Sequence, residues 1–143
     1  MSDRSPLSSL EGHRFPGGSH TVDHWENFLL TDCTGSGQLE NGRVHPVAAF
    51  NMTVLGAGVS IADLFELFEV ADAGAVWLEE VEWAFERQLQ EGVEYQLSGG
   101  VDAVERLTTS SGRAYDLIVF SIDIHEPAAD LAVRVTTTWR IRR

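Results

Sequence analysis

The 143-residue sequence predicts an α+β fold in which a long antiparallel sheet packs against one central, buried helix. Three observations support this prediction. The stretch from Arg43 to Val70 is apolar on most sides of a helix, as is typical of a buried helix. After Gly74 the apolar residues recur at every second position, as in strands with one buried face. Short turns separate these strands, and strands joined by short turns are expected to be antiparallel neighbours.

The composition excludes several classes of partner. The chain is 43% hydrophobic, has a formal net charge of −12 and contains no lysine. Nucleic acid and anionic membrane surfaces bind clustered positive charge, so neither is expected as the main partner. Cys33 is the only cysteine, which excludes an intramolecular disulfide and a CxxC metal site. The polar N-terminus lacks the apolar region of a signal peptide, so we expect a cytoplasmic protein.

The first third of the chain predicts a tail, a short helix and a loop. Residues 1–12 are polar and are expected to form a flexible tail before a single domain at 13–143. Asp23 begins a helix, with Glu26 three positions later in a capping-box pattern. Trp25, Phe28 and Leu29 form the expected apolar face of this helix. Residues 31–43 are rich in glycine and predict an irregular loop that leads into the central helix.

The central helix carries signals at both ends. Pro46 suits the first helical position, where its missing N–H is not needed. Gly56 and Gly58 each cost about 1 kcal/mol relative to alanine inside a helix. We interpret these two glycines as a close backbone approach or a break in the helix.

Four strands with alternating patterns follow the helix. Their predicted core positions are Trp77, Val81, Trp83 and Phe85; Val93, Tyr95, Leu97 and Val101; Ile118, Phe120, Ile122 and Ile124; and Leu131, Val133, Val135, Thr137, Trp139 and Ile141. The other face of the last strand carries Arg134, Arg140 and Arg142, followed by Arg143. These arginines can meet the phosphates of coenzyme A or of a carrier arm. The alternative that we favour is cross-strand pairing with Glu80, Glu82 or Glu86.

Several stretches resemble one known family. HTVDHWENF (20–28) is similar to its entry into the first helix, and the glycine-rich loop ending in His45 is similar to its catalytic loop. LGAGVS (55–60) resembles its His-Gly segment, FERQLQEGVEY (85–95) a strand–turn–strand region, and VTTTWRIRR its last strand. Over residues 13–143 the sequence thus resembles the MaoC-like (R)-specific enoyl-thioester hydratases and dehydratases. The resemblance implies the hot-dog fold, in which a curved antiparallel sheet wraps a central helix.

The resemblance also implies an activity and its residues. The expected reaction is hydration or dehydration of an enoyl or 3-hydroxyacyl thioester, carried by coenzyme A or acyl carrier protein, with no cofactor and no metal. In the family motif D-x-N-P-x-H, His45 matches the histidine and Glu40 takes the place of the aspartate, while the Asn-Pro pair is absent. An alternative alignment places Ser36 at the aspartate and leaves the acid absent.

The chemistry gives each candidate a role. A histidine and a carboxylate can hold a water molecule and relay its protons, as expected for His45 and Glu40. Backbone N–H groups of Gly56, Ala57 and Gly58 can bind the thioester carbonyl if the helix breaks there. Two alternatives stay open: a hot-dog thioesterase, or a non-catalytic acyl-binding subunit of a heterodimeric dehydratase. The resemblance further implies a homodimer, or a heterodimer with a homologous subunit, paired edge to edge.

Overall fold

The computed structural model describes residues 4–143, which form a five-stranded antiparallel sheet and three α-helices. The elements are a 3-10 helix at Pro6–Leu10, β1 Gly18–Thr21, α1 His24–Cys33, α2 Ala48–Gly56, α3 Ile61–Leu67, a 3-10 turn at Ala73–Ala75, β2 Val76–Phe85, β3 Glu94–Thr108, β4 Ala114–His125 and β5 Leu131–Arg142. The order across the sheet is β1-β3-β4-β5-β2.

This order corrects one predicted pairing. We expected β2 and β3 to be neighbours, but β2 pairs with β5 and β3 pairs with β1. The link between them is not a hairpin turn, because the two strands that it joins do not pair. Leu89 within the link is buried. The Leu89 carbonyl accepts the Val44 N–H at 2.9 Å, and the Gly92 N–H donates to the Val22 carbonyl at 3.0 Å. The link is therefore held by the segments before α1 and α2, and it carries the chain from the edge strand β2 across the sheet to β3, the neighbour of the other edge strand.

The strand patterns correctly predict the buried face of β4 and β5, but in β2 they assign Trp77 to the wrong face. A register shift between Leu78 and Glu80 places Trp77 opposite Arg140, whereas Val81 lies opposite Thr137. The bulge moves Trp77 to the face opposite Val81. Trp77, Trp83 and Phe85 are 65%, 41% and 42% exposed, so the prediction that they lie in the core is wrong.

The predicted central helix is two short helices, α2 and α3, bent by 65°. The break lies at the glycines, as interpreted from the sequence. Gly58 has a φ of +72°, and a Cβ there would overlap the main chain of Gly17. Phe68, at the end of α3, is fully buried and packs on Phe120 and Trp139 with ring centroids 5.9 Å apart in both pairs. This aromatic cluster joins the end of α3 to the sheet.

The N-terminal segment differs from the flexible tail that we expected. Leu7 is buried in the core, and a Glu11 carboxylate oxygen accepts the Val104 N–H at 3.1 Å. The Gly12 N–H donates to the Val101 carbonyl at 2.9 Å. Residues 4–12 are thus part of the domain, because Leu7 supplies an apolar contact that the polar composition concealed. Residues 1–3 lie outside the described residues.

Helix α1 is inverted relative to its sequence pattern. Trp25, Phe28 and Leu29 are 64%, 45% and 53% exposed, whereas Glu26 and Asn27 are buried. The expected capping box is wrong, because no side-chain hydrogen bond caps this helix and Glu26 contacts other elements instead. The buried side of α1 is polar, and its apolar side faces outward.

No single helix among residues 4–143 is long and apolar enough to cross a membrane. Helices α2 and α3 reach the required length and hydropathy only when they are taken together as a bent pair.

Candidate functional site

His45 lies directly before α2 and is half-buried. Its backbone N–H donates to the Asn27 side-chain oxygen at 3.0 Å, and its Nδ1 accepts the Val47 N–H at 3.1 Å. The first bond ties the His45 main chain to α1, and the second ties the imidazole to the residue that caps α2. Because Nδ1 is an acceptor here, the neutral ring carries its proton on Nε2, which can donate a hydrogen bond to a ligand in this conformation.

Glu40 and Ser36, the two residues that can align with the family's aspartate, lie in the loop before α2. Glu40 is exposed, and its carbonyl accepts the Arg43 N–H at 3.3 Å. Ser36 is also exposed, and its N–H donates to the Thr34 hydroxyl at 3.3 Å. Within residues 4–143 neither side chain makes a hydrogen bond or ion pair with His45. The acid–base pair inferred from the sequence is thus not joined by a direct contact in this conformation.

Gly56, Ala57 and Gly58 lie at the other end of α2. Eight residue steps from the start of α2 to Gly56 correspond to about 12 Å along the helix axis. Gly56 and Ala57 are buried, and the Ala57 carbonyl accepts the Gly17 N–H at 3.0 Å. This segment packs against the chain entering β1, and the structure does not bring it together with His45.

A buried polar cluster joins β1, α1 and α2, and the sequence analysis missed it. His20 Nε2 lies 3.0 and 3.2 Å from the two carboxylate oxygens of Glu26. The Asn51 amide donates to Glu26 Oε1 at 3.1 Å. The His20 and Glu26 side chains are 16% and 10% exposed. With Nε2–H donating to the carboxylate, His20 Nδ1 can accept a proton. The capping-box pattern concealed this role of Glu26.

The cluster lies beside a cavity of about 390 Å³. Its apolar walls come from Trp25, Leu29, Leu30 and Leu55, and its polar lining includes His20, Glu26 and Asn51. A few convergent polar groups within apolar walls suit a small ligand with an apolar body and one polar end.

The space between the helices and the sheet is nearly filled. The cavity there has a volume of about 40 Å³, lined by side chains that include Phe50, Leu64, Phe120 and Trp139. This is about the space of one water molecule in the liquid, so an acyl chain enters only if the helices move. Asp63, in the first turn of α3, forms a capping box with Ser60. The hydrogen bond from the Ser60 backbone lowers the pKa of Asp63.

The arginines of β5 do not pair with the predicted glutamates. Arg134 binds Asp123 in a bidentate pair at 2.6 and 2.9 Å. Arg143 donates to Asp116 and to the carbonyls at the end of α3. Pairing with Glu80, Glu82 or Glu86 is therefore a wrong prediction for these two residues, because aspartates on β4 lie closer.

A metal site needs several His, Cys, Asp or Glu side chains close together. In residues 4–143 no group of three or more His, Cys, Asp or Glu side chains is placed to hold a metal ion. Cys33, the single cysteine, is exposed.

No family model and no curated protein sequence matches this chain, but solved structures do. The ChsH1-ChsH2 complex of Mycobacterium tuberculosis has a chain with a TM-score of 0.71 and 13% identity, over 94% of this chain and 88% of that one. A MaoC-like dehydratase has a TM-score of 0.62 and 18% identity, over 95% of this chain but only 43% of that longer one. The HadBC (3R-hydroxyacyl-ACP dehydratase) complex of M. tuberculosis has a TM-score of 0.54 and 14% identity, over 89% and 92%.

These similarities extend along nearly the whole chain and include its sheet and central helices. Identities of 13–18% establish the fold and not the activity. The prediction made from the sequence is confirmed at that level: the chain has the hot-dog fold of the MaoC-like dehydratases.

Proposed function

We propose that this protein is a hydratase or dehydratase subunit that acts on an enoyl or 3-hydroxyacyl thioester in the cytoplasm. The observation that carries the proposal is the fold shared along nearly the entire chain with a MaoC-like dehydratase and with a 3R-hydroxyacyl-ACP dehydratase complex. The thioester carrier is coenzyme A or acyl carrier protein, and the reaction needs no further cofactor.

In the proposed reaction His45 acts as the acid–base group through Nε2, which requires the ring to release the Val47 N–H so that Nδ1 carries the proton and Nε2 has a free lone pair. Hydration forms a C–O bond at Cβ as Nε2 takes a proton from water, the electron pair of the double bond moves to Cα, and the imidazolium returns that proton to Cα. Glu40 is exposed in a glycine-rich loop, so the loop has to move to bring its carboxylate to the histidine. The peptide groups of Gly56–Gly58, proposed from the sequence to bind the carbonyl, also require a rearrangement, because two of these residues are buried.

A second candidate function is a non-catalytic subunit of a heterodimeric dehydratase. The observation that favours it is the absence, in the described residues, of a direct side-chain contact between His45 and Glu40 or Ser36. The exposed apolar side of α1 gives such a subunit a surface that requires a partner. Two of the similar structures are themselves complexes of paired chains, which supports pairing with a homologue.

The free edge of β2 is the proposed pairing surface. This strand is ten residues long, and in the described part of the chain it pairs with β5 alone, so its other side has unpaired backbone groups. Leu78, Trp83 and Phe85 are exposed along it. Pairing of this edge with a second subunit, in a homodimer or a heterodimer, would cover the backbone groups and reduce the exposed apolar surface.

The test is the loss of absorbance of a conjugated enoyl thioester, measured for the chain alone and with a homologous subunit encoded beside it. His45→Ala should retain the fold and lose at least 10²-fold in turnover, a typical contribution of a positioned acid–base group. Glu40→Gln should also lose activity, whereas His24→Ala, at an exposed surface position, is the matched control.

Each other outcome points to one alternative. Release of free thiol without hydration would indicate a thioesterase. Activity only with the partner, unchanged by His45→Ala and Glu40→Gln, would indicate the non-catalytic subunit. Loss of activity in His20→Ala but not in His45→Ala would move the acid–base group to the cluster of His20, Glu26 and Asn51. A wild type that hydrates no enoyl thioester, alone or paired, would refute the proposed function.

A further inference from the structure

An arginine-rich cleft of about 310 Å³ lies on the face of the sheet opposite to the aromatic core cluster. Direct strand partners share a face, which places Trp77 beside Arg140 and Tyr115 beside Arg142. The turn between β3 and β4 supplies the remaining wall, including Arg113. The cleft lies at the end of the sheet where β2 and β4 begin and where β3 and β5 end.

The cleft concentrates positive charge in an acidic protein. It holds three of the ten arginines of a chain that has 22 acidic residues. Arg142 and Arg113 are exposed, and across residues 4–143 neither guanidinium forms a hydrogen bond or an ion pair. Arg140 lies over the Tyr115 ring at 4.0 Å, and its nearest carboxylate oxygen, on Glu79, is also 4.0 Å away.

The neighbouring arginine on the same strand face shows the contrast. Arg134 makes two short hydrogen bonds to Asp123, and this pairing raises the pKa of the guanidinium. Its charge is therefore neutralised within the protein. Among residues 4–143, Arg142 and Arg113 have no such carboxylate, so their donors remain available for an external anion. Guanidinium groups bind phosphate through paired, parallel hydrogen bonds.

The cleft also contains an exposed aromatic surface. Trp77 is 65% exposed because the bulge in β2 turns it out of the core. An indole face beside cationic groups suits a planar heterocycle, since bases stack on aromatic side chains regardless of sequence. The combination of one aromatic face and two uncommitted guanidinium groups fits a nucleotide more closely than it fits a simple anion.

We propose that this cleft binds a planar base that carries phosphate groups, in the form of the 3′-phosphoadenosine diphosphate end of coenzyme A. The base stacks on Trp77, and the phosphates are held by Arg142 and Arg113. This inference rests on the proposed function, because a coenzyme A thioester substrate supplies the nucleotide. The inference also favours coenzyme A over acyl carrier protein as the thioester carrier, since the arm of a carrier protein contains a phosphate but no base.

The test measures binding of adenosine 3′,5′-bisphosphate to the full-length protein by titration calorimetry at low salt. We expect wild type to bind this nucleotide and Arg142→Ala to bind it at least about 10-fold more weakly, because a charged hydrogen-bonded pair is lost. Arg134→Ala removes the same charge from the same strand face but outside the cleft, and it should leave the affinity unchanged. Trp77→Ala should weaken binding of the nucleotide but not of inorganic phosphate.

Three results would overturn the inference. The first is no binding by wild type at millimolar nucleotide. The second is equal weakening by Arg142→Ala and Arg134→Ala, which would reflect the overall charge alone. The third is equal affinity for inorganic phosphate and for the nucleotide, which would indicate only an anion patch.

The inference and the proposed function can fail separately. Hydration of a pantetheine thioester as efficiently as of a coenzyme A thioester would retain the function and reject the nucleotide site. Nucleotide binding that depends on Arg142, in a protein that hydrates nothing, would retain the site and reject the function.

Discussion

Substitution of Gly58 by alanine tests how tightly the break between α2 and α3 is packed against the chain entering β1. The new Cβ would overlap the Gly17 carbonyl oxygen and lie 3.1 Å from both the carbonyl carbon and the nitrogen of Gly17. These atoms belong to the main chain, so no side chain can rotate away. The φ of +72° adds strain, since residues with a Cβ rarely adopt this conformation.

The two costs can be separated. Left-handed strain costs about 1–2 kcal/mol, and overpacking against a fixed neighbour adds about 1–3 kcal/mol. We therefore expect Gly58→Ala to lower the unfolding free energy by about 2–5 kcal/mol, before a gain of about 0.4–1 kcal/mol from the stiffer unfolded chain. For a domain of this size each kcal/mol corresponds to about 2–4 °C in melting temperature.

Gly35→Ala is the matched control. Gly35 has nearly the same φ, +71°, and a Cβ there meets nothing within 4 Å. It should carry only the strain, so its melting temperature should lie clearly above that of Gly58→Ala in the same thermal scan. Equal melting temperatures for the two variants would show that the chain at Gly17 yields without cost, and would refute the close packing inferred here.

Two further predictions concern the buried aspartate of β4 and the free edge of β2. Burial alone would raise the pKa of Asp116, but hydrogen bonds from Arg106 and Arg143 outweigh it and hold the pKa below its ordinary value of 3.8. Asp116 therefore stabilises the fold fully above about pH 4, and this contribution is lost as the pH falls through the lowered pKa. Asp116→Asn should lower the unfolding free energy by about 3 kcal/mol near neutral pH, because the two arginines lose the carboxylate that they bind. Urea titration of wild type and variant should show a smaller difference in unfolding free energy at pH 3 than at pH 7. An equal difference at both pH values would contradict this prediction. Light scattering should show that the wild type is a dimer at micromolar concentration. Trp83→Glu, on β2, should dissociate the dimer, whereas Leu39→Glu, in the exposed loop, should not. A wild-type monomer with no homologous partner would argue against pairing through β2.

The sequence predicts the fold class well because the patterns of β4 and β5 report burial directly. Their alternate positions from Ile118 to Ile124 and from Val133 to Ile141 are buried as expected. The pattern fails in β2, where the bulge between Leu78 and Glu80 reverses the face of Trp77. The alternating pattern alone does not locate a bulge, because the extra residue reverses the faces of the residues on one side of it without changing their types.

The candidate site is less predictable, since its contacts join residues that are distant in sequence. The Glu26 carboxylate meets His20 and Asn51, and local spacing suggested a helix cap instead. The order of the strands is similarly hidden, because the link through Leu89 is short enough to suggest a hairpin. Leu89 is buried and its carbonyl accepts the N–H of Val44, a contact that no local pattern in residues 86–93 reports.

The pairing of β2 with β5 has a consequence for the order in which the protein is synthesised. Val76 pairs with Ile141 and Phe85 with Val133, so each β2 residue precedes its partner by 48 to 65 residues. At ordinary rates of translation this interval lasts roughly 2–13 s, whereas a local hairpin closes in about 1–10 μs. During those seconds β2 is an apolar strand without a partner on either side, a target for chaperones and for aggregation. A nascent chain stalled before Leu131 would remain in this state, so the last twelve residues of the sheet determine whether the rest of it becomes soluble.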